Sequence, residues 1–337
     1  MSALLLTHER YLEHDPGRGH PERPARLRAV LDGIERAGLR EAMVELTPRS
    51  ATREELERVH DPELIDRLAG VGEAGGGWLD ADTAMSAASF DAALLAAGAG
   101  PTAIEALDAG RASSAFCAVR PPGHHATPAT AMGFCLLNHI AVAAAALAAR
   151  DERVLIVDYD AHHGNGTQDI FWSDPRVAYV SLHQHPLYPG TGDDREVGGG
   201  PGRGTTVNVP LPPGATGDVY RAAVEALVAP VAAAFDPTWV LLSAGFDGHR
   251  ADPLTDLGLS SGDFADLTAE LLALAPAGRR LVFLEGGYDL DALAASAAAC
   301  VGAMVGEPLH PEPPTAGGPG REQVRAVGLA RAAALDP

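Results

Sequence analysis

Lysine is absent from this sequence: all 25 basic residues are arginine, against 45 acidic ones, for a formal net charge of −20 over 337 residues. The chain therefore has no ε-amino group of its own to be acylated. So little positive charge also makes nucleic acid a poor partner, because binding phosphates needs clustered basic side chains. Cationic substrates are attracted instead. Cysteine is scarce too. Cys117, Cys135 and Cys300 stand far apart with no CxxC pair, which argues against a disulfide framework or a cysteine zinc site and for a reducing cytoplasm. Cys135 reads as a small buried hydrophobe. No apolar run approaches the ~20 residues of a membrane helix. Met1–Arg10 has a short apolar run without a basic leader, so neither a membrane span nor a signal peptide is expected.

What is present is a globular composition, 46% apolar and 21% charged, with short β-branched runs alternating with Ala/Leu-rich stretches. That alternation predicts βαβ units around a parallel sheet. Strands are expected at Ala3–Thr7, Val44–Thr47, Ala115–Val119, Val154–Val157, Val177–Leu182, Thr206–Val209, Trp239–Ser243 and Leu281–Leu284. Helices are expected at Phe90–Ala109, Ile140–Ala149 and Val219–Phe235, the last with Val224, Leu227, Val228 and Val231 on one face. The expected domain covers 1–310. "PEPPTAGGPG" (311–320) reads as a linker to a short helix or frayed tail ending at 337, packed on or flanking the domain.

Five polar motifs follow five of these strands: "RPPGHH" (120–125), "DYDAHHGNG" (158–166), "HQHPLYPGTGD" (183–193), "AGFDGHRADP" (244–253) and "EGGYD" (285–289). In open α/β sheets the carboxyl ends of the strands form the ligand crevice. Asp160 and His162, two apart, point the same way in an extended segment; Asp247 is the natural third ligand. Three protein ligands with an open fourth position describe a catalytic zinc site, and two carboxylates also suit Fe(II), Co(II) or Mn(II). Without a metal, the same residues would be a buried ion pair. His124 and His125, held behind two prolines and a glycine, are candidates for general acid and base, with Asp158 and Asn165 as their orienting acceptors. Tyr288, brought in by Gly286 and Gly287, could donate to an oxyanion or be an ordinary rim tyrosine. His183, His185, His20 and His249 read as loop or rim residues.

These residues resemble the zinc-dependent histone deacetylase and acetylpolyamine amidohydrolase superfamily. "HPERPARL", "RPPGHHA", "GFCLLNH", "VDYDAHHGNGTQDIF", "SLHQ", "SAGFDGHRADPL" and "LEGGYDL" run in family order from about residue 8 to 305. Asn165, where class I enzymes carry aspartate, is similar to the class II branch and its bacterial relatives. The resemblance implies one arginase-like α/β domain with a mainly parallel eight-stranded sheet. It implies zinc on Asp160, His162 and Asp247, the tandem pair His124 and His125 backed by Asp158 and Asn165, and Tyr288 as carbonyl polariser. Gly133, Phe134, Tyr188 and Gly286 would line an acyl-lysine tunnel. A structural potassium ion near Asp158, Asp160, His162, Ser181 and Leu182 is also implied, as is an internal cavity beside Arg26. Polyamine-preferring relatives carry a gatekeeper glutamate where Leu254 stands here.

The expected activity is removal of an acetyl group from the ε-nitrogen of lysine in a protein or peptide, by metal-activated water. Because Asp158 keeps His124 basic, His124 is the expected base and His125 the acid. Acetylpolyamine deacetylation by the same site is the nearest rival. A two-manganese ureohydrolase would need bridging aspartates that "DAHHGNG" lacks, and a non-catalytic acetyl-lysine-binding module would not need Tyr288 and both histidines.

Overall fold

The computed structural model describes residues 2–335. Ten strands occur among the described residues: β1 (Ala3–Leu6), β2 (Met43–Leu46), β3 (Gly76–Trp78), β4 (Ala84–Ser86), β5 (Ser114–Cys117), β6 (Val154–Asp158), β7 (Val177–Gln184), β8 (Thr206–Leu211), β9 (Trp239–Ala244) and β10 (Arg280–Leu284). Eight form one all-parallel sheet in the order β2-β1-β5-β10-β9-β6-β7-β8. They coincide within two residues with the eight runs read from sequence. Every residue of β1, β5, β6, β7 and β9 is buried. Continuous apolar runs such as Trp239–Leu242 are what a parallel strand covered on both faces requires, and each large apolar side chain so buried is worth roughly 1.5–3 kcal/mol.

Two groups of helices supply that cover. Helices Ala25–Arg36, Ser261–Leu272 and Leu290–Val305 pack together, as do Ser89–Asp108 and His139–Ala148. Their starts are chemically specified. Asn138 accepts from the Ala141 N–H at 3.1 Å, and Asp289 from the Ala292 N–H at 2.9 Å. Ser260 and Asp263 form a capping box. The expected helix Val219–Phe235 is instead two helices, Gly217–Ala223 and Ala229–Phe235, joined by a π turn at Val224–Val228. Pro230 has no N–H to give the carbonyl four residues back, and a wider turn accommodates the gap.

The polypeptide beyond 310 is fixed to the body at several points. Glu312 accepts from the His249 ring at 2.6 Å, Thr315 Oγ1 donates to Asp263 at 2.6 Å, and helix Arg321–Leu335 buries Val324 and Val327. Among the described residues no helix is long and apolar enough to cross a membrane.

The topology positions the site. β5, β10, β9, β6 and β7 are contiguous in the sheet, and each of the five motifs leaves the carboxyl end of one of them. The antiparallel hairpin β3–β4 adds the loop 79–83 at the mouth of the crevice.

Candidate active site and metal centre

Asp160, His162 and Asp247 each place a ligand atom within 4.8 Å of the other two. Nδ1 of His162 lies 3.2 Å from Asp160 Oδ1 and 2.9 Å from Asp247 Oδ2. The opposite carboxylate oxygens are taken up by backbone: Gly286 N–H donates to Asp160 Oδ2 at 2.8 Å and Ala161 N–H to Asp247 Oδ1 at 2.9 Å. Only glycine fits at 286, where a Cβ would stand 2.3 Å from Asp247 Oδ2. One imidazole nitrogen facing two buried carboxylates needs a cation between them, either a proton or a metal. The donor set, two carboxylates and one imidazole open to a cavity, fits a catalytic divalent ion.

Charge in the surroundings agrees. Burial pushes the Asp158 and Asp247 carboxyls up; at Asp160 burial acts the same way but the His124 and His162 imidazoliums outweigh it and hold the group low. His162 itself, opposed by burial but paired with Asp160 and Asp247, is raised to about 10. An excess of buried negative charge is what a divalent cation relieves.

Above this floor the tandem histidines lie with ring centroids 4.0 Å apart. Nδ1 of His124 donates to Asp158 Oδ2 at 3.0 Å, an oxygen that also accepts from the Tyr179 hydroxyl at 3.1 Å. Nδ1 of His125 donates to Asn165 Oδ1 at 2.8 Å. The acceptor on each partner sets the tautomer and leaves Nε2 for chemistry. The two environments diverge. Burial works against a charge on His124, but Asp160 and Asp158 raise it to about 10; burial, then His124 and His162, push His125 well below the usual histidine range. With Asp160 and Asp158 both beside it, His124 is held protonated at neutral pH in the metal-free protein.

A cavity of about 220 Å³ opens onto these groups, lined by Asp82, His125, Gly133, Phe134, His162, Leu187, Tyr188, Leu254 and Tyr288. Its walls are aromatic: Tyr188 stands edge-on to His125 at 5.2 Å and Phe134 edge-on to Tyr288 at 5.8 Å. Gly133 has φ +56°, and a Cβ there would meet the His125 ring at 2.5 Å; Phe134 follows at φ +68°, a left-handed conformation that costs about 1–2 kcal/mol in a non-glycine residue. Tyr288 is buried with the Arg26 guanidinium 4.8 Å from its ring. Burial lifts its phenol well above the usual range against the pull of Arg26, keeping the hydroxyl protonated as a donor. Arg26 also donates to the Gly287 carbonyl at 2.6 Å and the Glu285 carbonyl at 2.5 Å, and reaches Glu22 at 3.1 Å.

Of the potassium set, Asp158 and Ser181 are neighbours in register on β6 and β7. Asp158 Oδ1 accepts from the Asp160 N–H at 3.1 Å and Ser181 Oγ pairs with His183 Nδ1 at 2.9 Å. His183 is not a loop residue at the rim: it lies on β7, 1% exposed. His249, 4% exposed and bonded to Glu312, is likewise not at the rim. Asp82, Asp252 and Glu285 escaped the sequence reading. Asp82 comes from the hairpin loop, and nothing in "LDADT" marks it as facing the cavity. Glu285 and Asp252 lay inside quoted motifs, but as buried acceptors of backbone N–H groups they leave no spacing signature. Glu285 accepts from Gly123 N–H at 2.7 Å and burial raises it to about 8.

A histone deacetylase domain model matches residues 20–304. The chain is 41% identical over 293 residues to a probable deacetylase of Archaeoglobus fulgidus, covering 85% of this chain and 81% of that protein. With Histone deacetylase 15 of Arabidopsis thaliana it shares 42% identity over 319 residues, 93% of this chain but 57% of the plant protein. The crystal structure of the HDA15 HD domain superposes with a TM-score of 0.91 at 39% identity, covering 98% of this chain and 94% of that one.

Proposed function

The chain belongs to the histone deacetylase family and is a deacetylase; from that premise we propose that it hydrolyses the Nε-acetyl group of lysine in peptides or proteins, with zinc held by Asp160, His162 and Asp247. The observation that carries this reading is the convergence of those three donors at the floor of a narrow aromatic cavity shared with His125 and Tyr288. When bound, the metal supplies a Lewis acid for the scissile carbonyl and lowers the pKa of a water towards ~7.

The protein's own groups do the rest. Neutral His125, oriented by Asn165, accepts the water's proton at Nε2 as the oxygen adds to the carbonyl carbon. The Tyr288 hydroxyl donates to the developing oxyanion, a contact worth ~10²–10³ in rate. Cationic His124, held by Asp158, gives its proton to the amine nitrogen as the C–N bond breaks. Gly133, Phe134 and Tyr188 flank the apolar part of the acyl-lysine chain and exclude water from it. The assigned roles of base and acid are opposite to those expected from the Asp158 carboxylate alone. The potassium ion implied near Asp158, Asp160, His162, Ser181 and Leu182 would be structural, and no step of the chemistry runs through it.

A second reading, acetylpolyamine deacetylation, draws on one observation. Asp82 and the exposed Leu254 both line the cavity, so a carboxyl is available to a cationic tail although position 254 is apolar. Acetate release by zinc-loaded protein from an acetyl-lysine peptide and from an acetylated polyamine, side by side, separates the two. Faster peptide turnover is expected; faster polyamine turnover supports the second reading, and no release from either with zinc bound overturns both.

A further inference from the structure

Tyr288 needs a support that regular structure does not give it. It follows Gly287, whose φ is +118°, and precedes the helix beginning at Leu290. Neither a strand nor a helix thus fixes its backbone. Leu254, which lines the same cavity, sits in the loop after β9, equally without a ladder to hold it.

We propose that Asp252 is the positioning residue for both, one carboxylate that ties the oxyanion donor Tyr288 to the mouth residue Leu254. Asp252 is 7% exposed. Its Oδ2 accepts the Tyr288 N–H at 2.7 Å and the Asp289 N–H at 3.4 Å; its Oδ1 accepts the Leu254 N–H at 3.0 Å. The short bond is the one to Tyr288, and it joins two segments distant in sequence. A carboxylate that only shaped its own turn would stop at Leu254, the acceptor geometry Asp-Pro sequences adopt readily. Here the second oxygen is spent on a different segment of the chain.

The support is itself anchored. The Asp252 N–H donates to the His249 carbonyl at 2.8 Å, and the His249 ring is bound to Glu312 at 2.6 Å. Asp252 is therefore held from behind while it holds Tyr288 in front. Arg26 steadies the same turn from the other side. Displacing a donor by about 1 Å is enough to lose most of its contribution to a transition state, so the Asp252–Tyr288 bond acts on kcat more than on ground-state binding. Because Leu254 shares the carboxylate, shifts of backbone at the mouth reach Tyr288, and the residue that meets the substrate's outer part is mechanically linked to the group that meets its carbonyl.

This inference rests on the proposed role of Tyr288, and the experiment separates the two. Asp252→Asn and Asp252→Ser are made alone and combined with Tyr288→Phe, and kcat, KM, zinc content and Tm are measured on the zinc-loaded full chain. Expected is a fall in kcat of at least tenfold for Asp252→Asn at nearly unchanged KM and zinc content, with less than a twofold further effect in the Tyr288→Phe background. Asn retains one acceptor oxygen, so it keeps the fold better than Ser; Ser checks the direction. An unchanged kcat, or the same fold-loss in both backgrounds, overturns the proposal and leaves Asp252 a structural residue. If Tyr288→Phe alone keeps full kcat, it is the reading of Tyr288 that fails, and the proposal with it.

Discussion

Nδ1 of His125 donates to Asn165 Oδ1 at 2.8 Å, a neutral acceptor, while the adjacent histidine has a carboxylate in the same role. Burial and the charged rings of His124 and His162 keep His125 neutral, and a neutral acceptor does not outweigh them, whereas Asp160 and Asp158 outweigh burial and keep His124 charged; Asn165 is therefore the residue to change. Asn165→Asp places a carboxylate against Nδ1 and raises the pKa of His125, as an opposite charge so near does. A base must be deprotonated to act, so the acidic limb of the kcat/KM profile moves to higher pH and activity at neutral pH falls. An acidic limb left where it was would reassign the base to His124.

Metal binding should release a proton. His162, raised to about 10 by its two carboxylates against the effect of burial, is protonated in the metal-free protein at neutral pH, and a metal ligand must be deprotonated. Calorimetry in buffers of different ionisation enthalpy is expected to give about one proton released per zinc at pH 7–8. The same pairing contributes stability to the metal-free fold below the unfolded histidine pKa and loses it as pH rises through the folded value. Removing zinc with a chelator should abolish acetate release and lower Tm, and Asp247→Asn should weaken zinc binding by an order of magnitude or more. Full activity in the chelated protein would contradict the metal reading.

The sheet was legible because parallel strands buried on both faces must be continuous apolar runs, and Val154–Val157 or Trp239–Ser243 can be little else. The five polar motifs were legible because chemistry at strand ends has to follow those runs directly. What stayed hidden has a common cause. Asp82 reaches the cavity through hairpin pairing between Gly76–Trp78 and Ala84–Ser86, and Asp252 through a hydrogen bond to a segment distant in sequence. Both depend on tertiary placement that no local period encodes. The upward shift of His124 was legible from its carboxylate partner; the role drawn from it is read the other way here, because the carboxylates that make a histidine basic also keep it protonated.

Beneath Tyr288 lies a cluster whose contribution to the fold is lost in acid. Glu22, 0% exposed, accepts from Arg120 Nη2 at 2.7 Å, from Arg26 at 3.1 Å and pairs with His14 at 3.0 Å. Burial alone would raise its carboxyl, but Arg120 and His14 outweigh that and hold it well below the usual range. A depressed carboxylate stabilises the fold above its unfolded pKa of ~4.3 and ceases to do so as pH falls through the folded value. Glu22→Gln is expected to cost about 3–5 kcal/mol at neutral pH by leaving two buried guanidiniums uncompensated, and to remove part of the acid sensitivity. Chemical denaturation at pH 7 and at steps well below pH 4 measures both; a loss that does not shrink as pH falls far below the unfolded pKa would show that Glu22 is not ionised in the fold.

At the cavity mouth the contest between substrates becomes one of charge. Asp82 lines the opening, where burial, opposed by Thr83, and Asp80 raise its carboxyl; in its ionised form it would attract an ammonium group on a substrate tail. Asp82→Asn should raise KM for an acetylated polyamine several-fold and leave an uncharged acetyl-lysine peptide nearly unaffected, with the polyamine effect shrinking as salt screens it. Leu254→Glu acts in the opposite sense. A second carboxylate lining the same cavity favours a dication over a neutral peptide, and about a tenfold gain in polyamine kcat/KM corresponds to ~1.4 kcal/mol, within reach of one partly exposed ion pair at low salt. Steady-state kinetics on both substrates for both variants decides the matter. Should Leu254→Glu fail to improve polyamine turnover while Asp82→Asn abolishes it, recognition of the cationic tail would belong to the hairpin loop alone, and the residue at 254 would serve only to shape the apolar wall.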